Sequence, residues 1–126
     1  MPLVTLTVRR SRTAALTTAI LEATHAALVA TGVHPQDRFQ RVLELAEDDF
    51  RFDPLYPDLA SARTDDFALV EILLGVGRSP KVKKQILAGL VQELTARDVD
   101  PEHVMVCFQE TAWENWSAGG GRMLHA

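Results

Sequence analysis

The chain is poor in cysteine and aromatics and lacks a long apolar run. It has one cysteine, one tyrosine and only 6% aromatic residues in 126. A single cysteine excludes an intrachain disulfide. Cys107 lies in the apolar run Val104-Met105-Val106-Cys107-Phe108 and reads as a core residue rather than a nucleophile. No run is long enough to cross a membrane as a helix, so no membrane partner is expected. No leader-like segment precedes Pro2, and the cytoplasm is the expected location. The net charge of −4 lacks the basic excess of a nucleic-acid binder. His25, His34, His103 and His125 show no metal-ligand spacing, so no metal site is expected. What remains is an ordinary globular composition, 47% hydrophobic and 24% charged, of one-domain length.

Against this background the second residue stands out. The chain opens Met1-Pro2-Leu3-Val4. Removal of Met1 would leave a secondary amine on a rigid ring, able to act as base, acid or nucleophile. Leu3-Val4-Thr5-Leu6-Thr7-Val8 alternates as a strand does, placing Pro2, Val4, Leu6 and Val8 on one apolar face. An amine held among apolar side chains resists protonation, which suits a general base.

The chain also repeats itself. Arg10-Ser11 and Arg78-Ser79 each open a helical stretch after an apolar strand. His34-Pro35-Gln36-Asp37 and Asp100-Pro101-Glu102-His103 each lead into a strand ending in Glu. The Pro and Glu matches are spaced two positions closer than the Arg-Ser pairs, and the difference is assigned to the second helix or its exit turn. The first helix is expected from Arg12 to Thr31, with Leu16, Ile20, Ala23, Ala27 and Leu28 on one stripe and Gly32 just past its end. The second has Ser79 as cap, Pro80 in its first turn, and Val82, Ile86, Leu90 and Leu94 inward. Each half is a strand–helix–strand crossover with parallel strands. The expected fold is α/β (α+β): two fused βαβ units forming a four-stranded sheet with two helices on one face. The domain is single, with units at 1–46 and 67–110, a connector at 47–66 and a tail at 111–126. Strands 67–74 and 104–108 are apolar on both faces, so the uncovered face calls for a partner and an oligomer is expected. The connector is long for a compact domain and either packs on a neighbour, borders a site or links the halves over the surface. Trp113 and Trp116 in the tail suggest a subunit contact or a pocket wall.

These elements together resemble the tautomerase superfamily, whose small members are built from βαβ units with a catalytic amino-terminal proline. The carrying features are Pro2 opening a strand, Asp37-Arg38-Phe39-Gln40 opening the second, Gly77-Arg78-Ser79 at the second helix, and Asn115-Trp116-Ser117 followed by Gly119-Gly120-Gly121. The double-length chain is similar to the malonate semialdehyde decarboxylase branch over nearly all its length. The resemblance implies a homotrimer packed around the sheet faces away from the helices. It implies catalysis without a cofactor, with Pro2 as the proton shuttle. Arg78 matches an arginine that grips a substrate carboxylate, as a guanidinium does through two parallel hydrogen bonds. Asp37 matches an acidic residue beside the proline. Arg38, Phe39 and Trp116 complete the expected substrate-contacting set, although Arg38 taken alone reads as a solvated or intersubunit charge.

Two positions depart from the decarboxylase pattern. Val76 stands where that branch has a second arginine, and Phe39 where a tyrosine is expected. Tautomerisation needs one carboxylate anchor and one proton shuttle, whereas decarboxylation asks for a firmer grip. The first expectation is therefore a tautomerase acting on a small enol or 2-keto carboxylate. The alternatives are a decarboxylase or hydratase of a small oxo-acid, with Glu114 as a conceivable water activator, and a non-catalytic trimeric binding protein.

Overall fold

Alternation in the opening segment and the two helical stripes set the architecture. A computed structural model describes residues 1–10 and 14–124. Strand β1 spans Leu3–Arg9, helix α1 Ala14–Ala30, strand β2 Phe39–Leu45, strand β3 Ala68–Gly75, helix α2 Pro80–Ala96 and strand β4 Val104–Thr111. Short 3-10 turns lie at Glu47–Asp49, Pro101–His103 and Trp113–Asn115. The strands form one sheet in the order β2-β1-β3-β4. β1 runs parallel to β2, β3 runs parallel to β4, and the two pairs meet antiparallel along β1 and β3. Each half is thus a βαβ unit, as the repeat predicts.

Both helices lie on one face. Val4, Leu6, Val8, Val70, Ile72 and Leu74 form a single core with Ile20, Leu28, Ile86 and Leu94. Each such aliphatic side chain contributes about 1.5–3 kcal/mol on burial. Pro2 is fully buried on the same alternation as Val4, Leu6 and Val8. Gly32 takes φ 111°, the left-handed conformation that ends α1 without a side-chain penalty. The Ser79 hydroxyl accepts from the Val82 amide at 3.3 Å and caps α2. Gly89 brings α2 close to Ala27 of α1, where an added Cβ would lie 3.6 Å from the alanine methyl.

The other sheet face is open and partly apolar. Phe39, Leu43 and Met105 are 48%, 44% and 44% exposed there. Cys107 lies on this face between Met105 and Gln109 and is exposed. The core position expected from its apolar run is therefore corrected. Strand alternation sends Val106 and Phe108 to the helix side and Cys107 away from it.

The repeat frame also needs correction. Ala14 maps onto Pro80 and Ala30 onto Ala96 by one and the same step, and both helices are 17 residues long. That step also carries Leu45 to Thr111, and Glu47–Asp49 to Trp113–Asn115. Nothing is lost within α2 or its exit turn. On this frame the counterpart of Arg78 is Arg12, outside the described residues, and the Arg10-Ser11 match is out of register by two. The frame defines a local two-fold. Thr5 pairs with Glu71, its own counterpart, and the pair Leu6–Val70 maps onto the pair Ile72–Val4.

Two contacts give tests of this packing. The Trp113 indole lies against Gly75 so closely that a Cβ there would be 2.7 Å from the ring. Gly75→Ala is expected to displace the ring and cost about 1–3 kcal/mol, measured by urea unfolding with tryptophan fluorescence. Unchanged stability and emission would mean that the indole is not seated there. At the entry to β2, the Arg38 guanidinium reaches Glu22 of α1 at 2.6 Å. That hydrogen bond is the main cause of a Glu22 carboxyl pKa below its ordinary value, opposed in part by burial. A lowered folded-state pKa means the pair stabilises above the ordinary carboxylate range, and that contribution is lost as pH falls through the folded-state value. Arg38→Ala should bring the Glu22 titration, followed by carboxyl carbon NMR, back up toward its ordinary range. No change on substitution would show the pair to be absent in solution.

Candidate active site

Strand register decides which residues can meet. Leu3 pairs with Phe39 on one side and Leu73 on the other, and Gly75 pairs with Thr111. The starts of β1 and β2 therefore share one end of the sheet with the finishes of β3 and β4. Met1-Pro2, Asp37, Arg78 and the segment from Trp113 onward all gather there.

The terminal ammonium of Met1 lies 3.5 Å from Oδ2 of Asp37. The other carboxylate oxygen, Oδ1, is buried and has no hydrogen-bond partner among the described residues. Asp37 is held by a turn, its amide donating to the His34 carbonyl at 2.9 Å. The tail crosses this end of the sheet. Asn115 Nδ2 donates to Thr111 Oγ1 at 2.7 Å, and the Leu124 amide donates to the Trp116 carbonyl at 3.0 Å. An isolated bridge between Ser117 and Met123 closes the tail loop, with Gly120 and Gly121 at φ 66° and 70°. Trp116 is thereby fixed, and its indole N–H is buried without a partner among the described residues.

Between these elements lies a cavity of about 200 Å³, lined by Met1, Leu3, Phe39, Trp116, Ser117 and Ala118. It is small even for a metabolite site. Met1 forms part of its wall, so loss of Met1 would enlarge it beside the Pro2 nitrogen. Its lining is chiefly apolar; it includes Trp116, whose buried indole N–H has no partner among the described residues, and Asp37 lies outside it. Such an arrangement can hold a small planar molecule and present it to an amine.

The expected site residues fall into three groups. Pro2, Asp37, Phe39 and Trp116 come together at the cavity or directly beside it. Arg78 stands at the same end of the sheet, half-buried and outside the cavity lining. Among the described residues it makes no hydrogen bond or ion pair. An unpaired cation one residue before a helix cap sits at the unfavourable end of the helix dipole, which an anion would relieve. Arg38 points elsewhere: its guanidinium is engaged by Glu22 and by Gln40 Oε1 at 3.1 Å. Leu3, Ser117 and Ala118 line the cavity without having been among the expected site residues. The sequence signal for the last two was their adjacency to Trp116. Glu114 is exposed on the 3-10 turn and does not line the cavity.

Comparison with known proteins bears on the family and the fold. A family model described as "Tautomerase enzyme" matches residues 37–119. No curated protein matches the chain by sequence. Among solved structures, the chain is similar to FG41 malonate semialdehyde decarboxylase inhibited by 3-bromopropiolate. That match has 24% identity and a TM-score of 0.85 over 96% of this chain and 92% of the other. A second malonate semialdehyde decarboxylase, described with decarboxylase and hydratase activities, matches at 25% identity and TM-score 0.86 over 96% and 93%. A fused 4-OT symmetric trimer matches at 23% and 0.72 over 96% and 94%. With a family model spanning well over half its length, the chain belongs to the tautomerase family.

Proposed function

We propose that the chain is a cofactor-independent tautomerase that ketonises a small enol of a 2-keto carboxylate through an amino-terminal Pro2. The observation that carries this reading is the burial of Pro2 on the apolar helix-side face while its neighbour Met1 lines a small cavity. Loss of Met1 frees the amine at the cavity wall. The neutral amine takes the enol hydroxyl proton, the carbonyl forms, and the carbon–carbon double bond accepts the proton back at carbon. One proton moves from oxygen to carbon, and the amine returns to its starting state. The Trp116 indole N–H, buried without a partner among the described residues, is the donor to the developing oxyanion. Phe39 supplies an apolar wall. Arg78 anchors the carboxylate; with no ion pair among the described residues, it gives up none to do so.

The working form is proposed to be a homotrimer. The exposed apolar positions Phe39, Leu43 and Met105 on the open sheet face need covering, and fused 4-OT neighbours are described as trimers. Among the described residues, no helix is long and apolar enough to cross a membrane.

A second reading, decarboxylation or hydration of a small oxo-acid, is favoured by Asp37. Its carboxylate lies 3.5 Å from the Met1 nitrogen, next to Pro2 in the chain, and its second oxygen has no partner among the described residues and could orient a water. The two malonate semialdehyde decarboxylases also match with higher TM-scores than the fused 4-OT trimer. Val76, exposed where a second carboxylate anchor would stand, counts against it.

The test is enol-to-keto conversion of phenylenolpyruvate by protein shown by intact mass to lack Met1. Pro2→Ala should reduce kcat/KM by about 10²–10⁴-fold, the usual worth of a positioned acid–base group. The rate should rise with pH as the amine deprotonates; a rate that falls with pH would favour the acid mechanism of the second reading. Equal rates for native protein and Pro2→Ala would overturn both.

A further inference from the structure

The local two-fold turns the candidate active site into a second cavity. Applied to the first cavity's lining, the repeat step carries Met1 and Leu3 to Phe67 and Leu69, and Phe39 to Met105. It carries Trp116, Ser117 and Ala118 back to Phe50, Arg51 and Phe52. All six line one cavity of about 310 Å³ at the opposite end of the sheet. A pocket that recurs at the symmetry-related position, built by the counterpart of every lining residue, is a feature of the duplicated architecture rather than a surface irregularity.

Its chemistry differs from that of the first. Ala68 stands in the place of Pro2, in mid-chain, so there is no amine. His103 stands in the place of Asp37, and its ring nitrogen contacts the Ala62 carbonyl at 3.2 Å and Asp100 at 3.8 Å. No terminal amine stands at this end, and His103 is not among the residues that line the cavity. The walls are aromatic instead: Phe50, Phe52 and Phe67 are mutually packed with ring centroids 4.5–5.8 Å apart.

The polar groups at this cavity are mainly cationic. Arg63 lies over the Phe67 ring at 5.2 Å, and its Nη1 donates to the Asp53 and Tyr56 carbonyls at 2.7 and 2.5 Å. Its Nε is buried and has no partner among the described residues. Arg51 donates from Nε to the Asp48 carbonyl and meets no carboxylate among the described residues. The one acid in the lining, Asp53, is capped by the Leu55 and Tyr56 amides at 2.9 and 2.7 Å, and its charge also acts on Arg63. Among the described residues, three buried side-chain polar atoms lack partners: Asp37 Oδ1, Trp116 Nε1 and Arg63 Nε. Two belong to the first site and one to the second. Buried donors in native proteins are rarely left unpaired, and an acceptor entering from the cavity would reach this one only with a shift of the Arg63 side chain.

We infer that this second cavity is a non-catalytic binding site for a small aromatic carboxylate. The ring lies against the Phe50–Phe52–Phe67 cluster, and the carboxylate meets Arg63 and Arg51. The site does not require Pro2 to be catalytic, so it stands or falls separately from the proposed reaction.

Phenylacetate, which has no enolisable keto group, is the probe. Amide NMR titration of the intact protein and of Pro2→Ala should give saturable shifts at Phe50–Asp53, Arg63 and Phe67 in both. Arg63→Gln should weaken that binding by about tenfold or more, as loss of a charged hydrogen bond does. Arg63 also braces the connector, so Arg51→Glu serves as the second variant. It reverses the charge at the cavity while leaving the aromatic walls in place, and it should weaken binding at least as much. Loss of enol conversion in Pro2→Ala with these shifts retained separates the two sites. Shifts confined to Phe39 and Trp116–Ala118, or affinity unchanged in Arg51→Glu, would overturn the proposal. So would a change of oligomer mass in Arg51→Glu without a change in phenylacetate affinity, which would mark the cavity as a seat for a neighbouring copy.

Discussion

The antiparallel seam between β1 and β3 is the constraint on which the molecule depends. Thr5 and Glu71 face each other across it, and each is the other's counterpart in the repeat. Joined this way, the start of one unit lies at the finish of the other. Pro2 therefore meets both the turn before β2 and the tail beyond β4. Had the units met with parallel strands, both starts would share one end, and the tail would lie far from the amino terminus. The register matters as much as the direction. A slip of one residue along the seam would turn Pro2 from the buried face to the open one, because side chains alternate strictly along a strand.

The two faces of the sheet divide the work. The helix side is a continuous apolar core, and Pro2 is buried on the same side. The open side combines apolar residues such as Leu43 with polar groups that hold each other, as in the 2.8 Å bond from Arg41 Nε to Thr5 Oγ1. The cavities form at the ends, where strand pairing stops. There the backbone no longer supplies every partner, and side chains such as Asp37 and Trp116 are left with unfilled hydrogen-bonding capacity among the described residues. Stability and chemistry are therefore drawn from different parts of the same strands.

Much of this was legible in the sequence, for identifiable reasons. Helical stripes, the Ser79 cap and the Gly32 stop are local signals, and the elements they mark fall where expected. Cys107 was misplaced because an all-apolar run carries no information about which face is covered. The repeat frame was set two positions off by a shared Arg-Ser dipeptide. Only the constant spacing of whole elements reveals the true step. Asp37 alone is a turn residue, and its approach to the amino terminus depends on the parallel register of β1 and β2. Arg38 could not be assigned from sequence, since its partner Glu22 lies a helix away on α1. The second cavity was hidden because most of its wall comes from the connector, which has no periodicity to read.

Neither unit owns a cavity. The first takes Met1, Leu3 and Phe39 from one unit and Trp116–Ala118 from the end of the other; the second takes Phe50–Phe52 from the first unit's exit and Phe67, Leu69 and Met105 from the second. The two copies of the ancestral segment are thus bound to a shared inheritance. A substitution that reshapes the exit of one copy alters the cavity opened by the other. A change of specificity at the amino-terminal end of the sheet involves residues of the other unit, and exchanging one unit for a foreign one would remake both ends of the sheet.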